Sequence, residues 1–266
     1  MPTRAPNARP ARAPRAATSL GAYVLHRYDW SESSLILDLF TREQGRLAVA
    51  AKGAKRPYSQ LRSVLLPFQR INVSLGRAAV NEEGAGEVQT LRGAEWAGGA
   101  AMLTGAALFS GFYLNELLMK LLARHDPHPA LFDAYALTLP ELTASDDTQV
   151  QAALRAFELT LLQQTGLLPD LSVATLTQQP VQLAARYALL PEAGVGAARG
   201  DEGTLTGEAL IGLQAALQHG SVPALQQACR PCSQALKLPL RGMIQHHLGG
   251  AVLRTRQVMT GLQALA

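Results

Sequence analysis

The sequence predicts an α+β protein in which a small β-barrel is followed by an α-helical domain. Apolar residues alternate over short runs before residue 97 and follow helical spacing after it. The charge balance changes at the same place, because residues 1–97 carry 14 Lys and Arg against 8 Asp and Glu, whereas residues 98–168 carry 3 against 7. Of the 266 residues 48% are hydrophobic, which is enough to bury a core in each region.

Composition and local pattern exclude several classes of protein. Two cysteines exclude a disulfide-stapled secreted fold and fit a reducing cytoplasm. Residues 1–19 contain four arginines, no acidic residue and a proline at every fourth position, which precludes an amphipathic targeting helix and predicts a disordered basic tail. The uncharged stretch 98–115 is too short and too rich in glycine to span a membrane, so it predicts a buried helix and no membrane association.

Residues 20–97 are predicted to form five strands and one short helix. The helix is expected over 59–66, with Ser59 as its N-cap, and Pro67 ends it. The strands are expected at 20–27, 34–40, 46–53, 69–76 and 87–96. Three strands, a helix and two strands is the order of an OB-fold, a barrel that binds nucleic acid on the face of its second and third strands and with its loops.

Basic side chains gather where an OB-fold meets nucleic acid. The candidates are Arg42, Arg46, Lys52, Lys55, Arg56, Arg62, Arg70 and Arg77. Such a groove attracts phosphates without reading sequence. Each base taken singly is equally compatible with a solvated surface charge. Tyr28, Trp30 and Tyr58 are candidates for stacking on bases, although a core position is favoured for Trp30, as it is for Phe40 and Phe68.

The acidic region that follows is predicted to be helical. Helices are expected over 108–124, 129–142 and 148–166, with Gly166 as the C-terminal cap of the third. Arg155 is the sole base of that third helix. Two interpretations stay open: an exposed Arg155 beside an apolar groove could receive the carboxylate of a peptide, or Arg155 could pair with Glu158, three residues further on.

The C-terminal region offers one cysteine motif. Cys229 and Cys232 form a C-x-x-C, which is half of a zinc site or a redox pair. The adjacent His246 and His247 would point about 100° apart on a helix and rarely share a metal. We therefore expect structural cysteines, no metal site and no thiol enzyme.

A last helix is predicted over 240–259. Its polar side carries Arg241, Arg254 and Arg256, which either extend a nucleic-acid path or face water. The sequence contains no Walker A loop, no nucleophile elbow and no H-E-x-x-H motif, so no catalytic residue and no cofactor are predicted.

Four motifs of the N-terminal region resemble one family. They are W-S-E-S-S (30–34), L-D-L-F-T…G-R (37–46), A-K-G-A-K-R (51–56) and L-L-P-F (65–68). They are similar to the RecO family of bacterial recombination mediators and DNA-repair proteins. The resemblance continues more weakly to about residue 210.

The resemblance implies a function without catalysis. RecO-like proteins bind single- and double-stranded DNA, anneal complementary strands, bind RecR and the single-strand-binding protein, and help load RecA at gaps. The C-terminal tail of the single-strand-binding protein would be the peptide received at Arg155, and the location would be the bacterial cytoplasm at the nucleoid. The rival function from another class is an OB-fold RNA-binding or translation-associated factor.

The resemblance also implies how the chain is divided into domains. Many RecO-like proteins carry a four-cysteine zinc site where this chain has residues 170–207, a stretch without cysteine. We therefore expect a degenerate, cysteine-poor zinc-finger-like insert over 169–207. The remaining expected units are a basic tail (1–19), an OB-fold (20–97), a helical domain (98–168) and C-terminal helices that pack on it (208–266).

Overall fold

The N-terminal part of the chain is a closed five-stranded barrel. A computed structural model describes residues 19–76, 88–99, 102–198, 200, 203–255 and 257–258. The barrel strands are β1 (Ser19–Asp29), β2 (Leu35–Thr41), β3 (Gly45–Ala51), β4 (Arg70–Leu75) and β5 (Val88–Trp96). They are hydrogen-bonded in the order β1-β2-β3-β5-β4. The predicted OB-fold order, with a helix between the third and fourth strands, is confirmed.

Alternating apolar residues build the interior of the barrel. Leu37 and Leu39 of β2 are fully buried in the barrel core, whereas Phe40 belongs to a second core outside it. This is the two-residue period of a strand with one face on each side. The barrel closes where β3 and β5 pair in parallel, with Ala48 opposite Val88.

The short helix α1 (Leu61–Val64) is only one turn long. The expected helix is present but shorter than 59–66, and its expected cap Ser59 is wrong, because the N-cap is Gln60 and no side chain caps the helix. Phe68 has a φ of 66°, outside the range of a right-handed helix, and the chain turns there into β4. Leu65, just after α1, is buried in the barrel core.

Three helices follow the barrel: α2 (Gly105–Leu121), α3 (Pro129–Glu141) and α4 (Asp147–Gln164). The side chain of Asp146 accepts a hydrogen bond from the Thr148 amide (2.9 Å) and so caps α4 at its N-terminus. Gly166, with a φ of 71°, follows its C-terminal end as expected. Every residue from Ala152 to Leu162 is buried, so α4 is the central helix of the domain.

Short hairpins occupy the region where the zinc-finger-like insert is expected. Strands β6 (Val173–Ala174) and β7 (Gln179–Pro180) form one sheet, and β8 (Arg186–Leu190), β9 (Gly194–Ala197) and β10 (Thr204–Thr206) form another. Thr175 joins the two sheets: its amide donates to the Val195 carbonyl (2.8 Å), and its Oγ1 accepts from the Val195 amide (2.9 Å). Among the described residues, no three His, Cys, Asp or Glu side chains are grouped so as to hold a metal ion.

Three C-terminal helices follow: α5 (Gly207–His219), α6 (Val222–Cys229) and α7 (Ser233–His247). Helices α6 and α7 pack on α4, where Leu225 and Leu240 share one core with Phe157, and α5 packs on α6. The expected helix over 240–259 is right for 240–247, which belong to α7, but it is not continuous. Gly249 and Gly250 have φ values of 61° and 79°, which end α7, and the next helical residues that the structure describes are 254–255 and 257–258.

The same core extends onto the outside of the barrel. Tyr23 and Phe40 pack their rings on Phe132 of α3, with centroid distances of 5.3 and 5.4 Å. Asn115 of α2 donates from Nδ2 to the Leu25 carbonyl (2.9 Å), which fixes α2 against β1. The helices therefore cover part of the outer face of β2, where the OB-fold order predicted nucleic-acid contact, and that part of the expectation is wrong.

Two expectations fall wholly or largely outside the described residues. The predicted disordered tail lies there except for Ser19, which begins β1, and so does Arg77, one of the expected DNA-binding bases. Among the helices that the structure describes, none combines the length and the apolar character needed to cross a membrane.

Candidate nucleic-acid interface

The two ends of the barrel differ in what surrounds them. The docked end, as we call it, is the β2–β3 turn with the strand residues beside it (residues 40–46), which contact α2 and α3. The free end consists of the β1–β2 loop (30–34) and the segment that follows β3 (52–62). The register separates them, because Thr41 pairs with Gly45 at one end of the β2–β3 hairpin and Leu35 pairs with Ala51 at the other.

Arg42 lies at the docked end and is occupied by an ion pair. Its Nε donates to Asp133 Oδ1 (2.9 Å) and a terminal nitrogen donates to Asp133 Oδ2 (2.8 Å), so the guanidinium binds the carboxylate in a bidentate manner. Asp133 belongs to α3, and the pair joins the β2–β3 turn to that helix. The hydrogen bond to Asp133 raises the pKa of Arg42 above its ordinary value.

Arg46 is buried at the same end. It pairs with Asp38 through two hydrogen bonds (3.1 and 3.0 Å) and donates to the carbonyls of Met119 and Leu122 at the C-terminal end of α2. A cation is stabilised there because the last carbonyls of a helix lack partners of their own. Arg46 is thus a contact between barrel and helix and is not available to DNA, contrary to expectation.

The expected base Arg70 does not extend the free end. Arg70 is exposed at the start of β4, opposite Tyr23 of β1, and Tyr23 packs on α3. Its charge lowers the pKa of Tyr23, which burial raises more strongly. Arg70 therefore lies on the side of the barrel that faces the helices, whereas Arg77 lies outside the described residues.

Four of the expected bases do meet at the free end. Gly53, with a φ of 74°, turns the chain sharply after β3 and places bases on both sides of the turn. Lys52, Arg56 and Arg62 are exposed, and Lys55 is half-buried. Within the described part of the chain, Lys52, Arg56 and Arg62 form no ion pair, so their charge is available to a ligand.

Lys55 fastens the two segments of the free end together. Its Nζ lies 3.0 Å from Asp29 Oδ1 and donates to the Ser31 carbonyl (3.1 Å), and its amide donates to the Ser33 carbonyl (3.0 Å). One of these contacts is to the last residue of β1, and the other two are to the β1–β2 loop. The loop is therefore held against the segment after β3.

A cleft beside Lys55 contains a base that the sequence analysis missed. Its volume is about 480 Å³, and Arg27, Lys55 and Arg62 are among the residues that line it. Arg27 donates to the Leu65 carbonyl (3.3 Å), which positions its guanidinium beside α1. The sequence could have identified Arg27 as a candidate, because it is one of the few charged residues of an otherwise apolar strand.

A second cavity, of about 350 Å³, also lies at the free end. Trp30, Lys52 and Arg56 line it together with three loop serines and Gly53. The prediction of a core position is right for Phe40 and Phe68 but wrong for Trp30, whose exposed fraction is 58%. The aromatic candidates Tyr28 and Tyr58 are exposed as well.

Arg155 of α4 does not face a groove. It is buried and lies 2.9 Å from Glu158 Oε1, which also accepts a hydrogen bond from the Tyr113 hydroxyl (2.8 Å). Burial raises the pKa of Glu158, and Arg155 opposes that rise. Of the two interpretations, pairing with Glu158 is the one found, and the expected exposed receiver of a peptide carboxylate is wrong.

Comparison with known proteins matches both halves of the chain. Residues 17–98 match the family described as Recombination protein O N terminal, and residues 102–257 match Recombination protein O C terminal. The chain belongs to the RecO family of DNA repair proteins. Relatives named DNA repair protein RecO include those of Polaromonas naphthalenivorans (52% identical) and Verminephrobacter eiseniae (50%). Each alignment covers 92% of this chain and 96% of the relative.

Membership of the RecO family places the free end within the N-terminal match, since residues 30–62 lie inside 17–98. The names of the family and of the relatives describe DNA repair and recombination and no catalytic activity.

The two cysteines of this RecO chain have the character of core residues. Cys229 and Cys232 are both buried and unpaired with each other. Burial raises the pKa of the Cys232 thiol to about 11 and raises that of Cys229 further. A thiol with so high a pKa holds little thiolate at neutral pH and is a poor nucleophile.

Proposed function

We propose that this chain is a non-enzymatic recombination mediator that binds single- and double-stranded DNA at the free end of its barrel. In this proposal it anneals complementary strands and, with RecR and the single-strand-binding protein, helps to load RecA at gaps in the bacterial nucleoid. The observation that supports it best is a group of exposed bases at the free end of a barrel from a DNA repair family: Lys52, Arg56 and Arg62, which form no ion pair with any described residue.

The physical basis is the release of counterions from the DNA backbone. Each phosphate that a Lys or Arg neutralises frees condensed cations, so binding is strong and weakens as salt increases. A rigid loop such as the one that Lys55 fastens loses little conformational entropy on binding. Binding of this kind does not depend on sequence, as annealing of arbitrary complementary strands requires.

The partners rest on the family resemblance. RecR, the single-strand-binding protein and RecA remain proposed partners, without assigned contact residues. Arg155 is not available to receive the tail of the single-strand-binding protein, because its guanidinium is buried against Glu158.

Annealing of complementary oligonucleotides tests the proposal, with and without the single-strand-binding protein. The intact protein should accelerate annealing, and Lys52→Ala/Arg56→Ala should slow it. The matched control Arg42→Ala/Arg70→Ala removes the same charge from the other side of the barrel and should anneal like the intact protein. Absence of annealing together with tighter binding of RNA than of DNA would instead favour the RNA-binding alternative.

A further inference from the structure

We infer that Trp30 is a stacking platform for an unpaired base, with the flanking phosphates held by Lys52 and Arg56. The inference rests on the proposed DNA binding at the free end and adds to it a preference for single strands. It names one nucleotide subsite: the cavity of about 350 Å³ that these three side chains line.

The exposure of Trp30 is the first argument. A large indole ring that remains 58% exposed on a loop leaves apolar surface in water, where burying it against a ligand is favourable. Its neighbours in the cavity are polar or cationic, so no apolar side chain of the lining covers it. A base can cover it, because every base has a flat π-face that stacks on an aromatic ring.

The rigidity of the loop is the second argument. The amides of Trp30 and Ser31 both donate to the Ser34 carbonyl (3.3 Å each), and the Ser34 amide donates to Ser31 Oγ (3.2 Å). Lys55 ties this turn to the opposite wall of the cavity. The backbone that carries the Trp30 ring is therefore held in place before a ligand arrives, which lowers the conformational entropy lost on binding.

The charges around the ring are the third argument. Lys52 and Arg56 line the same cavity, and neither forms an ion pair with any residue that the structure describes. The loop acid Glu32 is exposed but does not line the cavity. A ring flanked by two unpaired cations matches a nucleotide, whose base is flat and whose phosphates are anionic.

The arrangement of Trp30 between two cations favours single-stranded DNA over duplex DNA as the ligand. A base inside a duplex is already stacked and paired, so it reaches Trp30 only after being unstacked and unpaired, which costs free energy. Duplex DNA can still use Lys52 and Arg56 through its phosphates. Loss of the ring should therefore weaken binding of single strands far more than binding of duplexes.

Tryptophan fluorescence gives the direct test, since the chain has two tryptophans. Trp96→Phe leaves Trp30 as the sole reporter and removes a residue outside the cavity. Its emission should be quenched by a thymidine oligonucleotide about 16 nucleotides long, the upper site size of an OB-fold. An abasic oligonucleotide of the same length should leave the emission unchanged, because it offers phosphates without bases.

Affinity measurements complete the test. Trp30→Leu should weaken binding of the thymidine oligonucleotide by roughly 5- to 150-fold. Binding of the abasic oligonucleotide should be unchanged, and so should the salt dependence. Absence of quenching, or Trp30→Leu with unaltered affinity for the thymidine oligonucleotide, would overturn the stacking role. If Lys52→Ala/Arg56→Ala then still weakens binding, the proposed function survives, whereas a failure of the intact protein to bind any DNA would overturn both.

Discussion

Arg46 and Lys52 lie only six residues apart in the sequence, yet they lie at opposite ends of the barrel and in opposite surroundings. At the docked end Arg46 is buried between Asp38 and the last carbonyls of α2. At the free end Lys52 faces solvent beside an aromatic ring. The comparison shows that a basic side chain is available to bind a ligand only where the rest of the fold leaves it exposed. Charge counted along the sequence does not reveal this.

The largest effect is expected from Arg46→Ala. The substitution leaves Asp38 buried without its cation and removes the contact with α2, so the free energy of unfolding should fall by about 3–5 kcal/mol. Denaturant unfolding measures this loss. The double variant Arg46→Met/Asp38→Leu should recover much of it, because no unpaired charge remains. A single variant as stable as the intact protein would show that the docked end is not held by this pair.

The two turn glycines provide a matched pair with a smaller effect. Gly53→Ala at the free end carries only the backbone strain of a positive φ, about 1–2 kcal/mol, since the nearest atoms lie 3.6 Å from the new methyl group. Gly45→Ala at the docked end would add a clash, because that methyl group would lie 2.0 Å from the Asp126 carbonyl oxygen. Overpacking of this kind adds about 1–3 kcal/mol. Equal losses in thermal or denaturant unfolding would contradict the close approach of the turn to the helical domain.

A still smaller effect is expected from Arg42→Ala. Its pair with Asp133 is half exposed and screened by water, so the unfolding midpoint should drop far less than for Arg46→Ala. The remaining drop should shrink further at high salt. A midpoint shift as large as that of Arg46→Ala would mean that the exposed pair, and not the buried one, joins barrel and helices.

The sequence predicts those features that local pattern determines. The alternation in β2 predicts that strand correctly, and the three-residue spacing of Arg155 and Glu158 made their pairing one of the open interpretations. The missed features depend on contacts between distant segments. Nothing near Arg46 in the sequence shows that α2 will cover it, and the apolar character of Trp30 predicts burial although its ring is 58% exposed.

The salt dependence of DNA binding tests the contrast between the two ends most directly. With a single-stranded oligonucleotide, the slope of log K against log salt should become shallower by about 1.4 in Lys52→Ala/Arg56→Ala, since each lost phosphate contact removes about 0.7. Arg42→Ala/Arg70→Ala should keep the slope of the intact protein, although it loses the same formal charge. A shallower slope for the Arg42/Arg70 variant and an unchanged one for the Lys52/Arg56 variant would contradict the assignment of the DNA surface to the free end.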